Sequence, residues 1–449
     1  MSNYRRIMLI RTSLFLGVIN IKLYGKLITD KQQLTTELII KNGYGVYKKK
    51  GLWHCMQCGS TSVHDFYIYE SKYTEVPITY CRKCVCLGRM DNNNSVMITK
   101  SVRHVSSAQY ELKFPLTDQQ NYASEKIVKA IIERQNLLLH AVTGAGKTEM
   151  IFNGIHYARN QGMNVAVISP RVDVVIEVSL RLKEVFKNEE VDIIYQEQPQ
   201  QFNGHFVVST VQQLFRFKQH FDVIFIDEVD AFPLSMDVTL MKAIKLASTY
   251  SYSHIFMTAT PPKILLKTIA KENHILLPAR YHQRPLPIPT FKYLKINPNK
   301  MQLTFLRILK QQTQSNRITL IFVNNISFME KIYSIYKEHI AELTYVYSDD
   351  VYRFEKITQL RAGQYKVVFT TTILERGFTM AHLDVIVLNS QLFETATLIQ
   401  IAGRVGRKAD SPNGLVLFCH QGVSFSMLSA RKKIKHMNNL AMKKGWIND

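Results

Sequence analysis

Residues 141–149 read Ala-Val-Thr-Gly-Ala-Gly-Lys-Thr-Glu, two glycines followed by a lysine and a hydroxyl side chain at the spacing of a phosphate-binding loop. In such a loop Gly144, Ala145 and Gly146 bring backbone N–H groups close to phosphate oxygens. Lys147 would reach the β- and γ-phosphates of ATP, and Thr148 would ligand Mg2+. The general pattern has glycine where Ala141 stands, a departure the backbone tolerates at negative φ. Hydrolysis also needs carboxylates facing the loop. Residues 222–230, Asp-Val-Ile-Phe-Ile-Asp-Glu-Val-Asp, supply them at the end of an apolar run: Asp227 to hold the magnesium, Glu228 to orient and deprotonate the attacking water. Further on, Gln-Ile-Ala-Gly-Arg-Val-Gly-Arg ends with Arg404 and Arg407, three apart and therefore expected on one face of a helix. Arginines that reach a γ-phosphate from across a cleft stabilise the charge of the transition state. Taken singly, these stretches are a glycine turn, an acidic turn and a basic helix face; taken together they spell nucleoside triphosphate hydrolysis.

A second chemistry lies upstream. Cys55 and Cys58 form one C-x-x-C pair and Cys81 and Cys84 another, with 22 residues between the pairs. That spacing suits a tetrahedral four-cysteine zinc site, in which the metal substitutes for a core that so small a module cannot build. A redox reading would require a thioredoxin-like strand and helix around the pair, which the sequence lacks. Cys86 and His54 have poorer spacing, and Cys419 reads as a buried strand residue.

These residues need a scaffold. The chain has 449 residues, 46% of them hydrophobic, which bounds it to roughly two or three domains and excludes global disorder. Lys and Arg number 57 against 35 Asp and Glu, a net +22, which points to an anionic partner, nucleic acid above all. No apolar run has the ~18 residues of a membrane span. The N-terminal stretch resembles a signal peptide faintly, but Arg11 interrupts it and no small-residue cleavage site follows; it is read as part of the folded protein or a misassigned start, and the protein as cytoplasmic. From residue 113, short branched-residue runs alternate with helical patterns, as in parallel sheets buried on both faces. Pro285, Pro287 and Pro289 interrupt the rhythm, and a second alternating series follows. The expected organisation is an N-terminal segment (1–50), a cysteine module (51–112), two α/β motor domains (113–284 and 285–436) and a basic tail (437–449).

AVTGAGKTE, DEVD, MTATP, TTTILERGFT and QIAGRVGR stand in the order found in superfamily 2 helicases and translocases, which the chain resembles over roughly residues 113–436. The resemblance implies an α/β fold of two tandem RecA-like domains with parallel sheets, preceded here by a small zinc-binding module. Ala141 is the residue this superfamily ordinarily carries in its loop. The resemblance also implies adenine contact by Gln120, nucleotide contact by Gly377 within the Glu375–Arg376–Gly377 block, and nucleic-acid backbone contacts by Pro170, Arg171, Ser209, Thr210 and Thr371. Thr258, Ala259 and Thr260 match the segment that links hydrolysis to strand movement. With a four-cysteine module ahead of the motor, and with RYHQRPLPIP and IKLYGKLIT, the chain resembles the ComFA family of natural-competence proteins. That implies a DNA-dependent ATPase and single-stranded-DNA translocase in DNA uptake, with ATP, Mg2+ and Zn2+ as cofactors. It also implies the channel protein ComEC and the companion ComFC as partners, and a peripheral place on the inner face of the membrane; it is compatible with homo-oligomers. Two other readings stay open: a PriA-type replication-restart helicase, whose cysteines lie between motor blocks, and a zinc-dependent DNA-binding scaffold with a vestigial motor. A DEAD-box RNA helicase fits less well, because Gln400 stands where that group has histidine.

Overall fold

The computed structural model describes residues 24–29, 39–196, 204–315, 317–375 and 378–447. The expectations for residues 1 to about 20, and for Arg376 and Gly377, lie outside the described residues. The first seven strands are β1 (Leu27–Ile28), β2 (Ile39–Tyr44), β3 (Val46–Lys49), β4 (Leu52–Cys55), β5 (Phe66–Tyr69), β6 (Ile78–Cys81) and β7 (Ser95–Thr99). β7 lies antiparallel between β1 and β2, while β3–β4 and β5–β6 are separate hairpins. The β3–β4 hairpin turns at Lys50 and Gly51, so it runs across residues 50 and 51 without a break.

The next seven strands form one parallel sheet: β8 (Leu137–Ala141), β9 (Val165–Ser169), β10 (Asp192–Ile194), β11 (Phe206–Thr210), β12 (Phe221–Asp227), β13 (Ser248–Thr258) and β14 (His274–Leu277). Their order is β10-β11-β9-β12-β13-β8-β14, so the loop strand β8 and the carboxylate strand β12 flank β13 and end on the same side. Every residue of β9 and β11 is buried, as both faces of a parallel sheet under helices require. The helices Asp118–Ile132 and Phe152–Asn160 pack closely, because Gly154 has no Cβ where one would lie 2.8 Å from Ile127 Cγ2.

A second parallel sheet comprises β15 (Thr290–Tyr293), β16 (Ile318–Phe322), β17 (Leu343–Val346), β18 (Val367–Thr370), β19 (Leu383–Val387) and β20 (Val416–His420), in the order β15-β20-β19-β16-β18-β17. The segment from β14 to β15, which holds Pro285, Pro287 and Pro289, joins the two sheets. Each of these strands is a four-residue edge strand with a single neighbour, a role that leaves little pattern in sequence. The C-terminal helix Phe425–Lys443 clasps this connector. Asn438 accepts from Leu286 N (2.8 Å) and donates to Leu286 O (2.9 Å), and Ala441 and Ile447 cluster with Ala279. This helix continues unbroken through residues 436 and 437.

One buried ion pair secures the first lobe. Arg159 Nε donates to Glu189 Oε2 at 2.9 Å, with both side chains 2% exposed, and Arg159 Nη1 donates to Met163 O at 2.7 Å. Truncating the acid leaves the guanidinium buried without its counterion. Glu189→Ala is expected to destabilise the lobe by about 3–5 kcal/mol, read as a lowered denaturation midpoint.

Candidate active site and metal centre

The phosphate loop leaves the end of β8 and enters the helix Lys147–Met150. Gly144 and Gly146 have φ of +80° and +79°, and a Cβ at Gly146 would lie 2.3 Å from Gln120 Nε2. Glycine is therefore required at 146 on two counts. The helix after the loop is divided: it breaks at Ile151, resumes at Phe152–Asn160, and closes at Gly162 with φ +71°. Gln120 is buried and its carboxamide is used twice, accepting from Thr117 N at 2.9 Å and donating to Ala145 O at 2.9 Å. In this arrangement it clamps the loop to the helix Asp118–Ile132.

Asp227 ends β12, and the next residue, Glu228, has φ +53°, a left-handed conformation rare outside glycine that re-aims its carboxylate. Burial lowers the Lys147 ammonium from its ordinary value; Asp227 chiefly opposes this, Arg407 adds to it, and Glu228 and Asp230 oppose it. A cavity of about 500 Å3 opens here. Gln120, Gly144, Ala145, Gly146, Lys147, Thr148, Asp227 and Glu228 line it from the first lobe, and Thr379, Gln400, Arg404 and Arg407 from the second. The structure thus brings the expected nucleotide residues of both lobes around one space.

The two arginines do not share a helix face. The helix Thr395–Ala402 ends at Gly403, and Gly406 has φ +68°, where a Cβ would meet Pro412 O at 2.1 Å. These glycines turn the chain and separate the two side chains. Arg404 is 1% exposed and donates from Nε to Glu375 O (2.7 Å) and from Nη1 to Phe378 O (2.5 Å), so it holds both of these residues. Arg407 donates to Gly403 O (3.0 Å) and Thr379 Oγ1 (3.3 Å). Burial lowers its pKa, and the carboxylates of Glu177, Glu228 and Asp227 oppose that shift. Arg407 is therefore the guanidinium that answers the acids across the cavity.

Sequence reasoning passed over Asp230, the last acid of DEVD. It accepts from Thr258 Oγ1 (2.6 Å), Thr260 Oγ1 (2.5 Å) and, across the lobes, Gln400 Nε2 (3.5 Å). A third carboxylate two residues beyond Glu228 was the signal. Thr143 was also missed: a Cβ at Gly403 would stand 2.0 Å from its Oγ1, which shows how closely the arginine loop approaches the phosphate loop.

The residues expected to touch a nucleic-acid backbone lie along one rim, after β9 (Pro170, Arg171), at the end of β11 (Ser209, Thr210) and after β18 (Thr371). Pro170, Ser209 and Thr210 are buried, and Thr371 is half-buried. Arg171 reaches over the cleft to Glu375 Oε1 (3.3 Å) and to the carbonyls of Thr372 and Ile373, while Arg353 pairs with Asp173. The rim is therefore stitched shut between the lobes.

Cys55, Cys58, Cys81 and Cys84 are buried with all four Sγ atoms within 4.8 Å of one another. Cys55 lies 3.5 Å from Cys84 and Cys58 lies 3.6 Å from Cys81, close to the ~3.8 Å edge of a tetrahedron with zinc–sulfur bonds of about 2.3 Å. The donor set fits zinc. Four thiolates this close would repel one another, so a cation is needed to hold all four deprotonated. Cys86 is exposed and His54 stacks on Tyr47, so neither joins the cluster. The module is docked on the first lobe: Lys218 Nζ donates to Gln57 O at 2.5 Å, and the cysteines share an apolar cluster with Phe215, Leu240 and Ile244. Among the described residues no helix is long and apolar enough to cross a membrane.

Comparison with known proteins agrees with this geometry. Residues 113–263 match the Type III restriction enzyme res subunit family, residues 301–409 the helicase conserved C-terminal domain, and residues 23–98 the Competence protein ComFA N-terminal domain. Two solved structures share the fold: Dbp5 of S. cerevisiae bound to RNA and ADP BeF3 (18% identity, TM-score 0.54, 71% of this chain and 91% of that one) and the Mycobacterium smegmatis helicase Lhr bound to ssDNA and AMP-PNP (17%, 0.51, 74% and 50%). Competence protein ComFA of Bacillus subtilis is 37% identical over 421 residues, 90% of each chain, and Competence protein ComFA of Streptococcus pneumoniae is 32% identical over 435 residues, 94% of this chain and 99% of that one. With a helicase motor around its cavity and relatives matched over nearly their whole length, the chain belongs to the ComFA family and is a DNA-dependent ATPase.

Proposed function

We propose that this protein is an ATP-driven translocase that draws single-stranded transforming DNA into the cytoplasm during natural competence. One observation carries the reading: a single cavity is lined by Lys147, Thr148, Asp227 and Glu228 from one lobe and by Arg407 from the other. ATP bound there as substrate touches both lobes and favours closure; loss of the γ-phosphate removes that preference. The phosphate-loop N–H groups and Lys147 hold the phosphates, Glu228 takes the proton of the attacking water, and Arg407 meets charge developing on the γ-phosphoryl. Thr148 and Asp227 would hold Mg2+, which supplies charge neutralisation when bound.

The strand partner is inferred from the +22 charge and from the rim. Arg171 and Arg353 are engaged by Glu375 and Asp173 across the closed cleft, and opening releases them towards phosphates. On the cysteine module, Tyr67, Tyr69 and Tyr80 cluster, with Arg89 over Tyr69 and Tyr80 at 5.4 and 5.0 Å, a surface able to stack bases and pair phosphates. Trp53 lies under Lys48, and Lys83 sits 3.7 Å from Asp65, so both are partly committed to their own module. The same reading places the protein with ComEC and ComFC at the inner face of the membrane, where a basic chain is attracted to anionic lipid, and accommodates homo-oligomers.

ATP turnover measured with single-stranded DNA, duplex DNA and RNA tests the proposal: stimulation by single-stranded DNA above the other two is expected, and equal rates without nucleic acid would contradict it. Lys147→Ala and Glu228→Gln should each lower turnover by at least ~100-fold while DNA binding in a mobility-shift assay persists; unaltered hydrolysis in both removes the assigned roles. Zinc bound by the four cysteines makes a separate prediction. Cys58→Ser or Cys84→Ser should lose the metal by elemental analysis and lower the melting temperature, whereas a full zinc complement would rule out ligation by all four cysteines.

A further inference from the structure

One cation at the seam has no role in the scheme above. Arg280 follows β14 by three residues, and its side chain is completely buried. Nη1 donates to Gly406 O at 2.6 Å, while Nε and Nη2 have no partner. None of the ion pairs among the described residues includes it. Its stem runs beside the phosphate loop, 3.6–3.7 Å from where a Cβ would stand on Gly144. The backbone around it is tied to the same loop, with Tyr281 N donating to Gly144 O (3.0 Å) and Val142 N to Leu277 O (3.1 Å). His282 Nε2 lies 2.9 Å from the same Gly406 oxygen. Gly406 immediately precedes Arg407. Residues 280–282 thus grip the phosphate loop with their backbone and the arginine loop with two side chains.

We infer that Arg280 is a positioning residue for hydrolysis: it anchors the Gly406 carbonyl so that Arg407 faces the cavity, and it makes that arrangement favourable when an anionic polyphosphate occupies the loop. The inference rests on the proposed ATP-hydrolysing role of the cavity. Its physical basis is the state of the guanidinium. A buried cation with two unmet donors, close to a second guanidinium, is unfavourable by itself. Burial, then the Arg407 charge, lowers Arg280 to about 9. Phosphates held at Gly144–Thr148 bring the compensating negative charge into a poorly screened region. Closing the seam therefore costs more without nucleotide than with it, and the residue that bears the cost holds the arginine loop in place. A purely structural arginine would have its donors satisfied or a carboxylate beside it.

The test uses the full chain and ATP with single-stranded DNA. Arg280→Met keeps the stem and removes charge and donors. The expected result is a fall in kcat of about tenfold or more, with the KM for ATP within about threefold of wild type and the nucleotide-free melting temperature unchanged or raised. Arg280→Lys, which restores the charge and one donor, should recover part of kcat. A kcat for Arg280→Met within about twofold of wild type would overturn the inference, as would equal losses in both variants with KM rising in step. Should Arg280→Met fail to fold, His282→Ala decides: about a threefold loss of kcat is expected, and an unchanged kcat overturns the inference. Wild-type protein that hydrolyses no ATP with DNA present refutes the underlying reading instead; an active wild type with an equally active Arg280→Met refutes this inference alone.

Discussion

The structure depends on how charge is gathered at the seam between two sheets. Lys147 and Arg407 face one cavity and are answered there by Asp227 and Glu228, while Arg280 is buried beside the phosphate loop with only Arg407 as a charged influence. In water such a collection would be screened. Here burial lowers each cation, so every neighbouring charge matters more. Two parallel sheets serve this end, because every strand in them ends on the same side, and loops leaving β8, β12 and β18 meet there with the turn after the helix Thr395–Ala402. The glycines at 146, 403 and 406 let the backbones approach until a single Cβ would collide.

The remaining parts keep that seam in register. The connector between the lobes is not slack: Asn438 pins Leu286, and the C-terminal helix covers Ala279 next to Arg280. The cysteine module is likewise continuous with the first lobe, through an apolar cluster that includes all four cysteines. The buried Lys218 to Gln57 bond and the pair between exposed Arg103 and buried Asp222 fix its orientation. Metal chemistry at the module therefore acts on a rigidly attached body.

The fold class, the order of the motifs and the two cysteine pairs were legible because each rests on local pattern: buried strands as branched runs, a loop as glycines before lysine, a metal site as paired thiols. What escaped the sequence was long-range. β10, β14 and β15 are short edge strands whose pairing depends on distant neighbours. Arg404 and Arg407 follow helical spacing, yet Gly403 and Gly406 end the helix and send them to separate tasks. That the Gln120 carboxamide also ties Thr117 to Ala145 is a matter of which atoms lie opposite once the chain has folded. Arg280 carried no local signal: its meaning is its distance from Gly144 and Gly406, more than a hundred residues away in either direction.

The same long-range contacts join the cavity to the rim. Glu375 presents its carbonyl to Arg404, which lines the cavity, and its carboxylate to Arg171, which lies on the rim. Any shift of Glu375 that follows a change in the cavity must therefore move the partner of Arg171. On the first lobe Asp230 performs the matching service: it holds Thr258 and Thr260 at the end of β13 and receives Gln400 from the arginine helix. Glu375 thus stands in both networks at once, while Asp230 joins the two lobes at the cavity itself. On the proposed strand path, a strand that drew Arg171 away from Glu375 would disturb the seat of Arg404, and a cavity that reorganised around its phosphates would alter the hold on Arg171. Reciprocity of this kind is a thermodynamic necessity once the contacts are shared. It gives nucleic-acid dependence to an ATPase whose nucleotide and strand sites need not touch.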